Sequence, residues 1–174
     1  MGSRPNPDAA SDPHVAALTR LFRSHPAWRA AAARIAEGSM SGVWFLHRPG
    51  EPWHLVREGG ESWLRPGSAA RPDFAFRFSP ASIRELEQAG DQVGDFAVRL
   101  FELMLEPEPE RQVGIRIVAG FTRLLRRGYV GLLLSSGPRV ATFAARNGVT
   151  GLASLRRLVN ALRSREPHEW ERED

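Results

Sequence analysis

The stretch Asp73-Phe74-Ala75-Phe76-Arg77-Phe78-Ser79-Pro80 (residues 73–80) decides the fold. Phe74, Phe76 and Phe78 alternate with Ala75 and Arg77. Successive strand side chains point to opposite faces, so the three rings fall on one side of a strand. Ser79-Pro80 then predicts a change of period: the serine oxygen can accept from the free amides of a first helical turn, and proline suits the first helical position. The helix runs to about Ala89 with Ile83 and Leu86 inward, and Gly90 ends it. A strand passing straight into a capped helix calls for a sheet with a helix laid against it.

Upstream, Pro13 behind Asp12 opens a helix with Val15, Leu18, Leu21 and Phe22 at helical spacing. Ser24 ahead of Pro26 restarts the pattern through Trp28, Ala32 and Ile35, until Gly38. Residues 43–48, 53–57 and 62–65 then read as three strands of an antiparallel meander, separated by Pro49-Gly50-Glu51-Pro52 and by Gly59-Gly60. If the first of these loops closes a four-residue hairpin, Trp44, Leu46, Trp53, Leu55 and Leu64 share the core face, and Phe45, Val56 and Trp63 share the other. Three large apolar groups on an outer face require a cover, either the N-terminal helix or a partner subunit, and Phe45, Val56 and Trp63 are expected to form a homodimer or partner-protein patch. The same register makes His47 and His54 neighbours, but two imidazoles lack a third ligand and no metal site is expected.

Downstream lies a helix beginning at Gly94-Asp95 whose polar residues Asp95, Arg99, Glu102 and Glu106 occupy one narrow stripe. Phe96, Ala97, Val98, Leu100, Phe101, Leu103, Met104 and Leu105 cover the remainder, more than the roughly 100° arc needed to lie on one core face. Such a helix is either trapped between layers or lines an apolar cavity. After the loop Glu106-Pro107-Glu108-Pro109-Glu110, Val113, Ile115 and Ile117 alternate as a fifth strand ending at Ala119-Gly120. Phe121, Leu124, Leu125, Gly128 and Leu132 mark one side of a further helix reaching Gly137-Pro138, with Arg123, Arg126 and Arg127 on the other side. Gly128 and Gly131 each disfavour a helix interior by about 1 kcal/mol, which implies that something approaches the backbone closely. Residues 139–147 are read as helix, and Thr150 caps a last helix with Leu152, Leu155, Val159 and Leu162 on one face and Arg156, Arg157 and Arg163 elsewhere.

A length of 174 residues, 42% hydrophobic and 25% charged, suits one domain with one core. It is expected to span residues 13–165, between a disordered tail (1–12) and a polar tail (166–174). All 24 basic residues are arginine and cysteine is absent, which removes Schiff-base lysines, phosphate-cradling P-loop lysines, thiol nucleophiles and disulfides. No nucleophile elbow or helical His pair organises the remaining Ser, His and Asp, so neither enzymatic activity nor a cofactor is expected. With neither a secretory core nor an apolar run of about 18 residues, the expected location is cytoplasmic.

This order of elements resembles the sterol carrier protein family over residues 18–137. Residues 72–79 are similar to the family's small residue, Asp, alternating strand and capping Ser, and Val113-Gly114-Ile115-Arg116-Ile117-Val118-Ala119-Gly120 to its final strand ending in Gly. Departures are Gln112-Val113 where a basic residue is common, a long segment 96–111, and residues 138–174, which have no counterpart. The resemblance implies an α+β fold: a five-stranded, mainly antiparallel sheet with helices packed on one face, plus extra C-terminal helices. It also implies non-catalytic carriage of a sterol, fatty acid or acyl chain in an apolar tunnel between sheet and helices. The expected lining is Phe76, Phe96, Leu100, Phe101, Met104, Ile115, Ile117, Phe121, Leu124, Leu125, Gly128 and Leu132. The alternative is a ligand-free module that binds protein through the apolar sheet face or nucleic acid through the Arg-rich helices. A net charge of only +4 and the lack of aromatic–basic interleaving stand against nucleic acid. The amphipathic last helix is expected to touch an anionic membrane transiently during lipid exchange.

Overall fold

The 73–80 stretch folds as its pattern dictates, a strand feeding a helix whose Ser79 hydroxyl accepts from the Ser82 amide while the Ser82 hydroxyl accepts from the Ser79 amide, each at 3.0 Å. The computed structural model describes residues 12–163 and 168–171. Along the chain these form α1 (Pro13–Ser24), α2 (Pro26–Ala32), β1 (Met40–Phe45), β2 (Arg48–Glu58), β3 (Glu61–Pro66), β4 (Phe74–Phe78), α3 (Pro80–Glu87), α4 (Val93–Leu105), β5 (Val113–Ile117), α5 (Phe121–Arg126), α6 (Tyr129–Ser135), α7 (Pro138–Arg146), α8 (Leu152–Arg163) and a 3-10 turn, Glu169–Glu171. The expected tail at residues 1–11 and the positions of Arg165 and Glu166 lie outside the described residues. Asp12 belongs to the fold: its carboxylate accepts from the amides of His14 and Val15 as the cap of α1.

The five strands form one mixed sheet in the order β3-β2-β1-β4-β5. Three of its pairings are antiparallel, and β1 and β4 run parallel. Helices α1 to α4 pack on the inner face with Val43, Phe45, Trp53, Leu55, Phe78 and Val113. The fold is therefore the α+β arrangement expected, with four further helices beyond β5 among the described residues.

Two expectations about the meander are corrected. The β1–β2 turn is Leu46-His47, with Phe45 opposite Arg48, and Pro49-Gly50-Glu51-Pro52 is instead taken up where the β1–β2 register shifts, because Val43 faces Trp53. The prolines have no amide to give to a ladder and are tolerated in such an irregularity. The side-chain period is two, so this shift inverts β1. Phe45 is 1% exposed in the core, and Trp44 stands on the outer face with Val56 and Trp63. The expected patch Phe45, Val56 and Trp63 therefore does not exist as a unit. The histidines also separate: His47 pairs with Asp12 at 2.9 Å, while His54 donates from Nδ1 to the Gly67 carbonyl at 2.9 Å.

The outer face meets residues of the 168–171 turn, where Glu171 forms an ion pair with Arg116 of β5 (Nε–Oε1 2.7 Å). The helix expected through residues 121–136 is broken at Gly128, which sits at φ +88 between α5 and α6. Ser24, read as a cap, instead donates back to the Arg20 carbonyl, and His25 is the residue at the N-cap of α2.

Candidate functional site

The inner face of β4 and β5 carries three apolar pairs in register: Phe78–Val113, Phe76–Ile115 and Phe74–Ile117. The first is sealed, at 3% and 0% exposure, inside the core made with α1 to α4. At the other end Ile117 is buried in a second core with Ala119, Leu124, Val130, Leu155 and Val159. The middle pair, Phe76 and Ile115, is only half-buried, as is Phe74. Phe76 lies 5.7 Å from Phe74 and 5.8 Å from Phe78, so an aromatic row bridges the two cores.

Solvent thus reaches an apolar seam in the middle of a sheet face that is closed at both ends. On its first side Phe76, Leu100 and Met104 pack against the first core. On its second side Phe74, Phe121, Tyr129 and Leu133 pack against the second core, with Tyr129 edge-on to Phe74 at 4.9 Å. Helices α4 and α6 converge at one point, where a Cβ added to Gly94 would stand 2.6 Å from the Ser136 carbonyl oxygen.

The second wall is held by a charged cluster. Asp73, 0% exposed at the head of β4, is 2.8 Å from Arg123 Nε and accepts from Arg127 at 2.9 Å and from the Tyr129 hydroxyl at 3.3 Å. Burial, then the neighbouring Asp73 charge, pushes the Tyr129 phenol well above its ordinary value. Arg123 also donates to the Arg71 carbonyl and Arg127 to the Gly38 carbonyl, at 2.7 and 2.8 Å. These arginines were expected on a solvated basic helix face. They instead clamp the α5–α6 junction to the start of β4 and to the loop before β1. Sequence reasoning missed them, although their i,i+4 spacing after Gly120 puts both on one side of a helix.

The structure distributes the expected lining residues unevenly. Phe76, Leu100, Met104 and Ile115 border the seam and Phe121 is half-buried on its second side, whereas Leu132 is half-buried but its neighbour Leu133 is the residue that packs against the second core. Phe96, Ile117 and Leu124 are buried in the two cores and support the walls from behind. Phe101 turns away and stacks on Phe143 of α7 at 5.9 Å. Two residues leave the set. Leu125 is 48% exposed, because adjacent helix positions lie about 100° apart and Leu124 takes the inward one. Gly128 offers no ligand room, since a Cβ there would meet the Arg34 carbonyl oxygen at 2.4 Å. Gly131, grouped with it, has open space around its Cα.

Helix α4 is flanked on both sides, which accounts for its broad apolar surface. Its polar stripe is engaged too: Arg99 pairs with Glu85 and Glu102, and Asp95 with Arg139. A cavity of about 860 Å³ lies along that stripe, lined by α3, α4 and α7 with Glu85, Asp95, Arg99, Arg139 and Arg146 among its walls. Its walls mix these charged groups with apolar ones such as Val98 and Phe143, and the Phe76–Ile115 pair is not among them, so it does not correspond to the expected apolar tunnel. Among the described residues no group of three or more His, Asp or Glu side chains could hold a metal ion, and no helix is long and apolar enough to cross a membrane.

No known family matches the sequence, and no curated protein matches it. Among solved structures the chain is similar to one described as "UbiJ-SCP2 Ubiquinone synthesis protein", at 16% identity and a TM-score of 0.41 over 75% of this chain and 93% of that one. At that identity and TM-score the likeness says nothing of ligand or chemistry.

Proposed function

We propose that this protein binds an apolar ligand, a sterol, fatty acid or acyl chain, without transforming it. The ligand lies in the seam over Phe76 and Ile115, between α4 and the α5–α6 wall. The observation that carries this reading is the half-buried Phe76–Ile115 pair between two sealed apolar cores. A packed domain seals its inner sheet face, and apolar surface left reachable by water favours an apolar guest by about 25 cal/mol per Å² covered. Each ligand methylene withdrawn from water contributes about 0.8 kcal/mol, so affinity climbs with acyl-chain length until the seam is full.

Native mass spectrometry of the purified protein, followed by uptake of a fluorescent fatty acid, tests the assignment. Leu100→Trp, which fills the seam, abolishes uptake with folding preserved. Leu125→Trp, at an exposed position, leaves it unchanged. A wild-type chain that carries no lipid and takes up neither fatty acid nor sterol overturns the reading.

A further inference from the structure

Charge is segregated along this chain. From Arg111 to Arg165 there are eleven arginines and not one Asp or Glu, whereas the remaining residues hold thirteen arginines against twenty acidic groups. Folding engages some of the eleven: Arg123 and Arg127 with Asp73, Arg116 with Glu171, Arg139 with Asp95 and Arg111 with Glu85. Arg126, Arg156 and Arg157 are exposed and have no acidic partner among the described residues. They sit beside unusually exposed leucines. On α8, Leu152 and Leu158 are 51% and 42% exposed, although Leu155 and Val159 already anchor that helix in the second core. On α5, Leu125 is exposed beside Arg126. The two helices are neighbours, with the Arg163 guanidinium lying over Gly120 at the head of α5.

We propose that the solvent side of α5 and α8 docks on an anionic lipid bilayer, with Arg126, Arg156 and Arg157 meeting headgroup phosphates and Leu125 and Leu152 dipping into the interfacial layer. Cationic side chains interleaved with exposed leucines suit a surface that offers both negative charge and apolar depth. A nucleic acid offers the charge alone, and among the described residues α5 and α8 carry no exposed aromatic ring for a base to stack upon. Because α8 packs on β5 beside the second core, docking brings that wall of the seam to the bilayer. The inference rests on the lipid-binding reading for its purpose, but the surface itself is a separate feature.

The test uses the full chain, co-sedimented with phosphatidylcholine vesicles with and without phosphatidylglycerol, and in parallel titrated against a fluorescent fatty acid in solution. Wild type binds the anionic vesicles only. The variant Arg126→Glu/Arg156→Glu/Arg157→Glu binds them at least about tenfold more weakly, as each basic group near such a surface contributes measurably. It keeps its melting temperature and its fatty-acid uptake. Leu125→Ala/Leu152→Ala weakens binding while preserving its dependence on phosphatidylglycerol. Equal binding to both vesicle types, or no effect of charge reversal, overturns the proposal. So does a preference for poly(U) over anionic vesicles at the same salt. Loss of fatty-acid uptake by wild type would instead overturn the seam assignment and leave the vesicle result standing.

Discussion

Removing Asp73 should cost this protein more stability than any other single change to its charged groups. Its carboxylate is fully buried, while Arg123 and Arg127 retain 30% and 25% of their side-chain exposure. Taking away one partner of a buried ion pair typically destabilises by 3–5 kcal/mol, because the charge left behind is unpaired. Here the guanidiniums reach solvent by small rotations, which places Asp73→Ala near the lower end, about 3 kcal/mol. The Tyr129 hydroxyl then loses its acceptor in a buried site, which argues against a smaller value. For a domain of this size about 3 kcal/mol corresponds to a fall in melting temperature of about 6–12 °C, readable by circular dichroism. A double-mutant cycle with Arg127→Ala should return a coupling above about 1 kcal/mol. If Asp73→Ala melts within 2 °C or so of wild type, the cluster does not anchor the second wall and the argument fails.

Three further outcomes follow from the same geometry. Gly128→Ala forces a side chain onto φ +88 and against the Arg34 carbonyl, and should destabilise by at least about 2 kcal/mol, whereas Gly131→Ala, in open space inside α6, should stabilise by about 0.5–1 kcal/mol; urea titration compares them. For Asp12, burial opposes ionisation, but the hydrogen bonds from His47 and from the amides of His14 and Val15 outweigh it and lower the carboxyl to about 2 from 3.8. A carboxylate held below its unfolded value contributes stability that is fully present above that value and is lost as pH falls through the folded one. The Asp12 contribution, about 1 kcal/mol after solvent screening, should therefore disappear between about pH 4 and 2, and Asp12→Ala should flatten that part of the stability profile. Phe143→Ala should loosen α7, seen as faster amide exchange along 139–146, while Arg139→Ala leaves the exchange unchanged.

The parts of this fold legible in the sequence are those set within a few residues. Phe74, Phe76 and Phe78 fix a strand face, and Ser79-Pro80 fixes the helix that follows, because alternation and capping are local rules. The sides taken by Trp44 and Phe45 were not legible. Leu46-His47 and the Pro49–Gly50 segment can both end a strand, and a change of register exchanges every side chain between faces. The parallel pairing of β1 with β4, and Arg123 and Arg127 seeking Asp73 some fifty residues away, depend on tertiary placement that no local pattern records. Gly128 was legible in half: its helix penalty signalled a close approach, but the approaching atom is the carbonyl of Arg34 and not a ligand.

Helix α7 is held on α4, and magnitudes decide which contact does it. The Arg139–Asp95 pair spans α7 and α4, but Arg139 is 75% exposed, and such surface pairs contribute between nothing and about 1 kcal/mol, less with added salt. The Phe101–Phe143 stack adds about 0.5–1.5 kcal/mol beyond the apolar area it removes from water, and Val140 at 1% exposure anchors the same helix. Helix α7 is therefore an apolar contact with an ionic rim, and its occupation of Phe101 is what turns that ring away from Phe76 and Ile115. The broad apolar arc of α4 thus serves two masters: Phe96 and Leu103 close the first core with Leu100 at its edge, and Phe101 holds α7. On the proposed reading a guest meets the narrower band of Leu100, Met104, Phe76 and Ile115, which leads us to expect tighter uptake of a fatty acid than of a sterol in the fluorescence assay.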